Sequence, residues 1–260
     1  MQRLCAISRR DRVGCGYDIG MEMGTLRFDK VDSLLRQAGV ALPPPSQVGG
    51  ARYLQSVLDA LCDLSSTDAL TGVMNRRAFF NVLEQELDRV TRGGEHALLL
   101  ALDIDHFKRV NDRYGHPAGD FVLREVTQRL REAVRPMDNV ARIGGEEFAV
   151  LCPHCPPSFA VAVAQRARVA IESAPIELPE HGPISVTISV GGAFALPWVK
   201  GDLSDWVARA DRQLYRAKQE GRNCVRLEPY ASADVSAEEK GLLFGWSATD
   251  EQVADHGQSA

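Results

Sequence analysis

Asn139-Val-Ala-Arg-Ile143-Gly144-Gly145-Glu146-Glu147-Phe148-Ala-Val-Leu-Cys152 is the stretch whose reading decides the fold. Its two flanks are short and rich in Val, Ile, Leu and Phe. They meet at a glycine pair, the pattern of a β-hairpin. Glycine lets the bend reach positive φ and lets a ligand approach the backbone. Two adjacent carboxylates at the tip repel each other, and folding alone does not ask for them. They make sense where a cation sits between them; the alternative is a solvated acidic turn. An isolated Gly-Gly-Glu-Glu does not decide between the two.

Upstream, Ala97-Leu-Leu-Leu-Ala-Leu102 is a continuous apolar run, predicted as a central strand buried on both faces. It ends at Asp103-Ile104-Asp105. If this strand neighbours the hairpin, Asp103 and Glu146 converge above one end of the sheet. Mg²⁺ is held by one or two carboxylates plus substrate phosphates. Phosphoryl transfer depends on such neutralisation and on the alignment of oxygens. Lys108 suits a phosphate as a point charge. Asn111 and Asp120 suit a base: an amide donates and accepts, and a carboxylate accepting from two N–H groups favours guanine over adenine. Lys218 and Arg222, four apart at the end of the last predicted helix, share a face there and suit phosphate oxygens. A solvated helix end favoured by the macrodipole explains that pair equally well.

Outward from these positions, the spacing of apolar residues predicts the remaining elements. Residues 1–24 lack periodicity and are predicted to be disordered, with Met21 or Met23 as an alternative start. Residues 25–64 are predicted as a short helical region and linker. One helix carries Phe28, Val31, Leu34, Leu35 and Ala38, with Gly39 as its stop. A second carries Leu54, Val57, Leu58, Leu61 and Leu64 on one face, either a dimer seam or a face packed on the main domain. The main domain is placed at 65–229. Thr67 or Asp68 is expected to cap a helix reaching Val90, with Val82, Leu83 and Leu87 inward and Gly93-Gly94 as its break. Asn111-Asp112 and Gly115-His116-Pro117 read as loop. Gly119 to Val134 and Ser158 to Ser173 read as helices. Ile184 to Val190 alternates as a strand ending at Gly191-Gly192. Leu203, Val207, Ala210, Leu214 and Ala217 make the last helix, with Gly221 just past its end. Val225 to Leu227 adds an edge strand. The mixture predicts an α+β fold, a central, mostly antiparallel sheet flanked by helices. Residues 230–260 are predicted as a disordered tail, interrupted by the apolar patch Leu242-Leu243-Phe244 and Trp246.

Composition narrows the function classes. The chain has 260 residues, 45% hydrophobic and 25% charged, which supports a packed core. A net charge of −5 offers no electrostatic case for binding a nucleic-acid polymer or an anionic membrane. The longest apolar run is far short of a membrane span, and no export signal follows Arg9-Arg10. Six irregularly spaced cysteines then read as reduced thiols of a cytoplasmic protein. Cys152-Pro-His154-Cys155 offers too few adjacent ligands for zinc and is read as structural thiols, with metal or redox chemistry as the alternative.

Separated stretches, in order along the chain, together resemble the GGDEF family of diguanylate cyclases. Thr67-Asp-Ala-Leu-Thr-Gly-Val-Met-Asn-Arg-Arg77 with Phe79 is similar to the family's opening motif. Asp103-Ile-Asp-His-Phe-Lys108, Asn111-Asp112, Tyr114-Gly-His116 and Gly119-Asp120 resemble its metal and guanine loop. Arg142-Ile-Gly-Gly-Glu-Glu-Phe148 is similar to the signature with Glu in third place. Tyr215-Arg-Ala-Lys218 and Gly221-Arg-Asn223 resemble the closing motif. The resemblance implies a fold like the nucleotide cyclases and the polymerase palm. It implies condensation of two GTP molecules to cyclic di-GMP with release of pyrophosphate, across a homodimer of facing domains. It implies Mg²⁺ or Mn²⁺ bound by Asp103, the Ile104 carbonyl and Glu146, with Glu147 in support. Glu146, Lys108 and Glu147 are the implied catalytic residues. Asn111, His116, Asp120, Lys218 and Arg222 are the implied substrate contacts. Arg135-Pro-Met-Asp138 has the RxxD spacing of the family's product-binding inhibitory site. The competing reading is a catalytically weak or inactive domain that serves as a receptor for cyclic di-GMP or GTP.

Overall fold

The computed structural model describes residues 29–43, 48–195 and 202–230. The expectations for residues 1–24, for Phe28 and for the tail patch around Phe244 lie outside the described residues. The chain divides into two compact units, Met1–Ser65 and Ser66–Ala260.

The first unit holds helices α1 (Asp29–Gln37) and α2 (Gly50–Ser66). Leu35 of α1 packs with Tyr53, Val57 and Ala60 of α2. The buried stripe of α2 is thus Tyr53-Val57-Ala60, rotated from the leucine face expected from sequence; Leu58 and Leu64 are exposed. Leucines promise burial, but it is the face turned to Leu35 that receives it.

The second unit is a six-stranded sheet between two helical layers. Its strands are β1 (Met74–Asn75), β2 (Ala97–Ile104), β3 (Asn139–Arg142), β4 (Glu147–Pro153), β7 (Ile188–Ala195) and β8 (Val225–Leu227), in the order β1-β3-β4-β2-β7-β8. A separate hairpin pairs β5 (Ile176–Leu178) with β6 (Gly182–Ile184). The helices are α3 (Arg76–Gly93), α4 (Phe107–Tyr114), α5 (His116–Ala133), α6 (Pro157–Glu172) and α7 (Leu203–Gln219). The three central pairings are antiparallel, while β1 on β3 and β8 on β7 are parallel. The expected mostly antiparallel sheet flanked by helices is therefore the fold observed.

Strand β2 is buried at every position. Leu98, Leu100, Leu102 and Ile104 join the core that receives α5 and α6. Ala97, Leu99 and Ala101 join the core built with Phe79 and Leu83 of α3 and Trp206, Ala210 and Leu214 of α7. The alternation follows from the two-residue period of a strand. Asp103 continues that second series to the end of the strand, where α7 also ends.

Four local expectations are corrected. Asp68 and Thr67 do not cap α3. Asn75 does, accepting from the Ala78 amide at 3.0 Å, and Gly94 closes the helix in the left-handed conformation. Asn111 and Asp112 lie within α4 rather than in a loop. This eight-residue helix has no side-chain cap and is anchored by buried Phe107, so packing decides what local propensity does not. Strand β7 starts at Ile188, not Ile184, and runs through Gly191-Gly192 to Ala195. The glycines are there for contact: a Cβ on Gly191 would lie 2.0 Å from the Leu214 amide nitrogen, and one on Gly192 would lie 2.4 Å from Leu227 Cδ2. Finally, α7 stops at Gln219, so Arg222 lies beyond the helix and does not share its face with Lys218.

Candidate active site

The pairing of β2 with β4 puts Asp103 directly opposite Glu147, at the edge of the Gly144-Gly145 turn. The Ile104 amide donates to the Glu146 carbonyl at 3.2 Å, which ties the tip of the hairpin to the end of the central strand. From the far side of the chain, Lys218 Nζ comes within 2.7 Å of Asp103 Oδ2. Asp103 is almost fully buried. Burial pushes its carboxyl above the ordinary aspartate value; Lys218 opposes that, and Glu147 and Asp105 add to it. Glu146 is raised as well, first by burial and then by the charge of Asp103, with Lys218 opposing. Desolvation and like charge both disfavour the ionised forms. Three carboxylates and one ammonium therefore share one end of the sheet.

The turn itself is braced. Ile143 and Gly144 amides both donate to the Glu147 carbonyl, at 2.9 and 3.3 Å. Arg142 spans the turn, donating to the Gly145 carbonyl at 2.7 Å and pairing with Asp68 at 3.2 Å. Asp68 also accepts from the Thr71 hydroxyl at 2.6 Å. Burial would raise the Asp68 carboxyl, but the bonds from Thr71 and the charge of Arg142 outweigh it and hold the group low. A Cβ on Gly144 would lie 2.2 Å from Glu147 Oε2, so the first glycine makes room for the carboxylate rather than only for the bend.

The other residues singled out from sequence fall into two groups. Asn111 on α4 and Asp120 on α5 are brought close, since Asn111 Oδ1 lies 1.9 Å from where a Cβ on Gly119 would stand. Only glycine at 119 permits that approach. Lys108, His116, Asp120 and Arg222 are exposed, and none makes a side-chain hydrogen bond or ion pair among the described residues. Arg222 (φ 65°) and Asn223 (φ 44°) are successive left-handed residues, each costing about 1–3 kcal/mol where non-glycine. Ile104 is buried, and its side chain belongs to the core.

Asp105, which sequence reasoning carried only as part of a motif, is 6% exposed and saturated with donors. It accepts from Thr187 Oγ1 at 2.7 Å, Ser189 Oγ at 2.6 Å and the Asn223 amide at 2.9 Å. No sequence signal marks it, because its partners are distant in the chain. The pairing of Arg142 with Asp68, two residues likewise carried only within motifs, leaves no sequence signal for the same reason.

Among the described residues no three His, Cys, Asp or Glu side chains are gathered into a metal cage. The donor set at the sheet end still suits a hard cation. Asp103 and Glu146 provide carboxylate oxygens, and Mg²⁺ needs only one or two of these when substrate phosphates complete the shell. A cleft of about 710 Å³ opens elsewhere, between α4 and the segment before β7, lined by Arg109, Arg113 and Tyr114 but by none of the converging carboxylates at 103, 146 and 147. Volume does not locate this site; charge does.

Arg135 and Asp138 line a smaller cleft of about 310 Å³ together with Arg131, Gly72 and Val73. Asp138 Oδ2 accepts from the Arg135 amide at 2.8 Å, and the Asp138 amide returns to the Arg135 carbonyl at 2.9 Å. The pair thus closes its own turn and leaves the guanidinium in the cleft wall. Cys152 and Cys155 are buried, and burial pushes both thiols up, which fits structural thiols. His154 pairs with Glu95 at 2.6 Å instead of with either sulfur. Among the described residues no helix is long and apolar enough to cross a membrane.

Comparison with known proteins supports one reading of this arrangement. The family profile described as diguanylate cyclase, GGDEF domain, matches residues 65–224, more than half of the chain. The response regulator PleD of Caulobacter vibrioides is 40% identical over 176 residues, covering 66% of this chain and 38% of PleD. The diguanylate cyclase DgcP of Pseudomonas aeruginosa is 42% identical over 180 residues, covering 68% of this chain and 26% of DgcP. The chain thus spans less than half the length of these curated relatives. Among solved structures, the coiled coil and GGDEF domain of DgcB from Caulobacter crescentus, in complex with c-di-GMP, superposes with a TM-score of 0.65 at 29% identity. That match covers 76% of this chain and 100% of the DgcB chain. The diguanylate cyclase SiaD of Pseudomonas aeruginosa, in complex with its activator SiaC, gives 0.61 at 33% identity, covering 76% of this chain and 75% of that chain.

Proposed function

The chain belongs to the GGDEF family of diguanylate cyclases, and from that premise we propose that it condenses two GTP into cyclic di-GMP and releases two pyrophosphates. The observation that carries this reading is the convergence of Asp103, Glu146 and Lys218 at the end of β2, with Lys218 Nζ 2.7 Å from Asp103. Asp103, the Ile104 carbonyl and Glu146 hold Mg²⁺ or Mn²⁺, and Glu147 supports them. Bound there, the cation supplies charge neutralisation at the α-phosphate and a template for the reacting oxygens. Lys108, Lys218 and Arg222 contact the triphosphate. Asn111 and Asp120 read the guanine edge from adjacent helices, with His116 beside them at the start of α5. Glu146 assists removal of the proton from the attacking 3′-hydroxyl.

Each domain binds one GTP, so the active unit is a homodimer whose two sites face each other. The cleft at Arg135 and Asp138 takes the product. An arginine there suits bidentate contact with a guanine edge or a phosphate, and binding at that position inhibits. The substrate places the reaction in the cytoplasm.

Chromatography tests the reading. Protein stripped of bound product with a cyclic di-GMP phosphodiesterase, then freed of that enzyme, is incubated with GTP and Mg²⁺. A cyclic di-GMP peak that disappears with Glu146→Gln supports the cyclase. Absence of product at high protein concentration, with cyclic di-GMP still bound, overturns it in favour of a receptor.

A further inference from the structure

Arg222 is proposed to meet a triphosphate, yet it stands beyond the end of α7 on a turn with no regular structure of its own. We infer that Asp105 is a positioning residue that clamps the Gly221–Asn223 turn, and with it Arg222, to the strand bearing Asp103. This inference rests on the phosphate-binding role proposed above for Arg222.

The two aspartates of Asp103-Ile104-Asp105 look interchangeable as metal ligands in sequence, and the structure separates them. Ile104 is the last residue of β2, so strand alternation no longer governs Asp105. Asp103 meets Lys218. Asp105 faces three donors instead: Thr187 Oγ1 at 2.7 Å, Ser189 Oγ at 2.6 Å and the Asn223 amide at 2.9 Å. Its own amide donates to the Thr187 carbonyl at 2.9 Å. An ionised carboxylate offers about four acceptor positions. Three of them filled by short bonds on a buried group leave little for a cation and much for rigidity.

The clamped turn needs such a hold. It begins as a helix-terminating motif, with the Arg222 amide donating back to the Ala217 carbonyl at 3.0 Å and Gly221 at φ 112°. The next two residues stay left-handed without being glycine, at φ 65° and 44°. Such conformations persist only where surrounding contacts over-determine them. Asn223 is held from two sides. Its amide meets Asp105, and its side chain meets Arg168 at 2.8 Å and Glu172 at 2.7 Å on α6. The Asp105 contact ties the turn itself to the end of β2, just before the Val190 amide donates to the Cys224 carbonyl at 3.0 Å and joins the following residue to β7. Without it the hold from α6 remains, but the direction of Arg222 relative to Asp103 is lost.

Calorimetric titration of the full chain with the Mg²⁺ complex of an α,β-methylene GTP analogue tests this. Asp105→Asn places an N–H₂ group or an uncharged oxygen where the Asn223 amide needs a carboxylate. It is expected to weaken the analogue about tenfold, as is Arg222→Ala, the scale of one charge-assisted phosphate contact. The double variant is expected to be no weaker than Arg222→Ala alone. Mn²⁺ binding without nucleotide, followed by electron paramagnetic resonance, is expected to match wild type in Asp105→Asn. If Asp105→Asn does not fold, Thr187→Val with Ser189→Ala loosens the same carboxylate while retaining it, with the same expected non-additivity toward Arg222→Ala. Additive losses, an unaltered affinity, or lost Mn²⁺ binding overturn the clamp. Failure of the wild type to bind the analogue overturns the phosphate-binding role of Arg222 and the clamp with it. A chain that binds the analogue but forms no cyclic di-GMP leaves the clamp standing without the cyclase.

Discussion

Asp103 and Glu146 are held as carboxylates in a place that disfavours their charge. Burial raises both above their ordinary values, and their mutual repulsion adds to the effect on Glu146. A carboxyl raised in the folded state stabilises the fold below its unfolded value and loses that contribution as pH rises through the folded value. The site therefore weakens the ligand-free protein at neutral pH, the usual cost of a functional cluster. Glu146→Gln is expected to melt about 2 °C above wild type at neutral pH, a fraction of a kcal/mol for a domain of this size. The gap should close as pH falls through the raised carboxyl value into the range where wild-type Glu146 is protonated too. Scanning calorimetry at stepped pH reads it; a variant less stable than wild type at neutral pH would refute the account. The same protonation removes the proposed metal ligands, so kcat/KM, which reports the ligand-free site, is expected to fall on the acid side at a higher pH than ordinary carboxylates would give. Asp103 and Glu146 were legible in sequence because each ends a strand-like run beside a turn. Asp105 was not, because Ser189 is 84 residues away and Asn223 is 118 away. A hydrogen bond over such a distance leaves no local pattern.

Elements show the same division between what periodicity reports and what packing decides. The buried strand β2, the hairpin of β3 and β4 and the helices α5, α6 and α7 follow directly from apolar spacing. Helix α4 does not, because Asn111 and Asp112 are weak helix formers held by a neighbouring core. Glycine pairs usually end strands, so the sequence pattern stops β7 at Val190, short of its end at Ala195. Here Gly191 and Gly192 let α7 and β8 come close. That contact has a functional side, since α7 delivers Lys218 to Asp103. Gly191→Ala sets a methyl against the backbone of Leu214, which has no flexible end to yield. It is expected to destabilise the domain by about 3 kcal/mol, and surviving folded protein is expected to bind GTP more weakly as α7 shifts outward. Urea denaturation with parallel nucleotide titration measures both, and a stable variant with intact affinity would show that α7 is free to retreat. Two further ties hold the helical layer on the opposite face. Arg129 of α5 donates to the Ile171 carbonyl at 3.1 Å and the Pro175 carbonyl at 2.9 Å, and Arg166 of α6 donates to the Ala133 carbonyl. Each helix thus satisfies carbonyls that its neighbour leaves open at its C-terminal end.

At the scale of the whole molecule, the proposed chemistry needs more than one chain. One sheet end holds one set of ligands, from Asp103, Glu146 and Lys218. The 3′-hydroxyl of one GTP must reach the α-phosphate of another, so a second sheet end has to face the first. Product and protein concentration then become separate controls. Arg135→Ala is expected to leave the initial rate of stripped protein within about twofold of wild type and to abolish the slowing caused by added cyclic di-GMP. Progress curves with and without product distinguish this, and unchanged slowing would place inhibition elsewhere than the cleft beside Gly72 and Asp138. The dimer requirement predicts a different signature. Below the dimer dissociation constant, the rate per chain should rise in proportion to protein concentration, because the facing pair and not the single domain is the catalyst. Above it, the rate per chain should level off. Sedimentation velocity across the same concentrations fixes the population of pairs independently. A rate per chain that stays constant while sedimentation shows only monomer would overturn the facing pair and show that one domain completes the reaction alone.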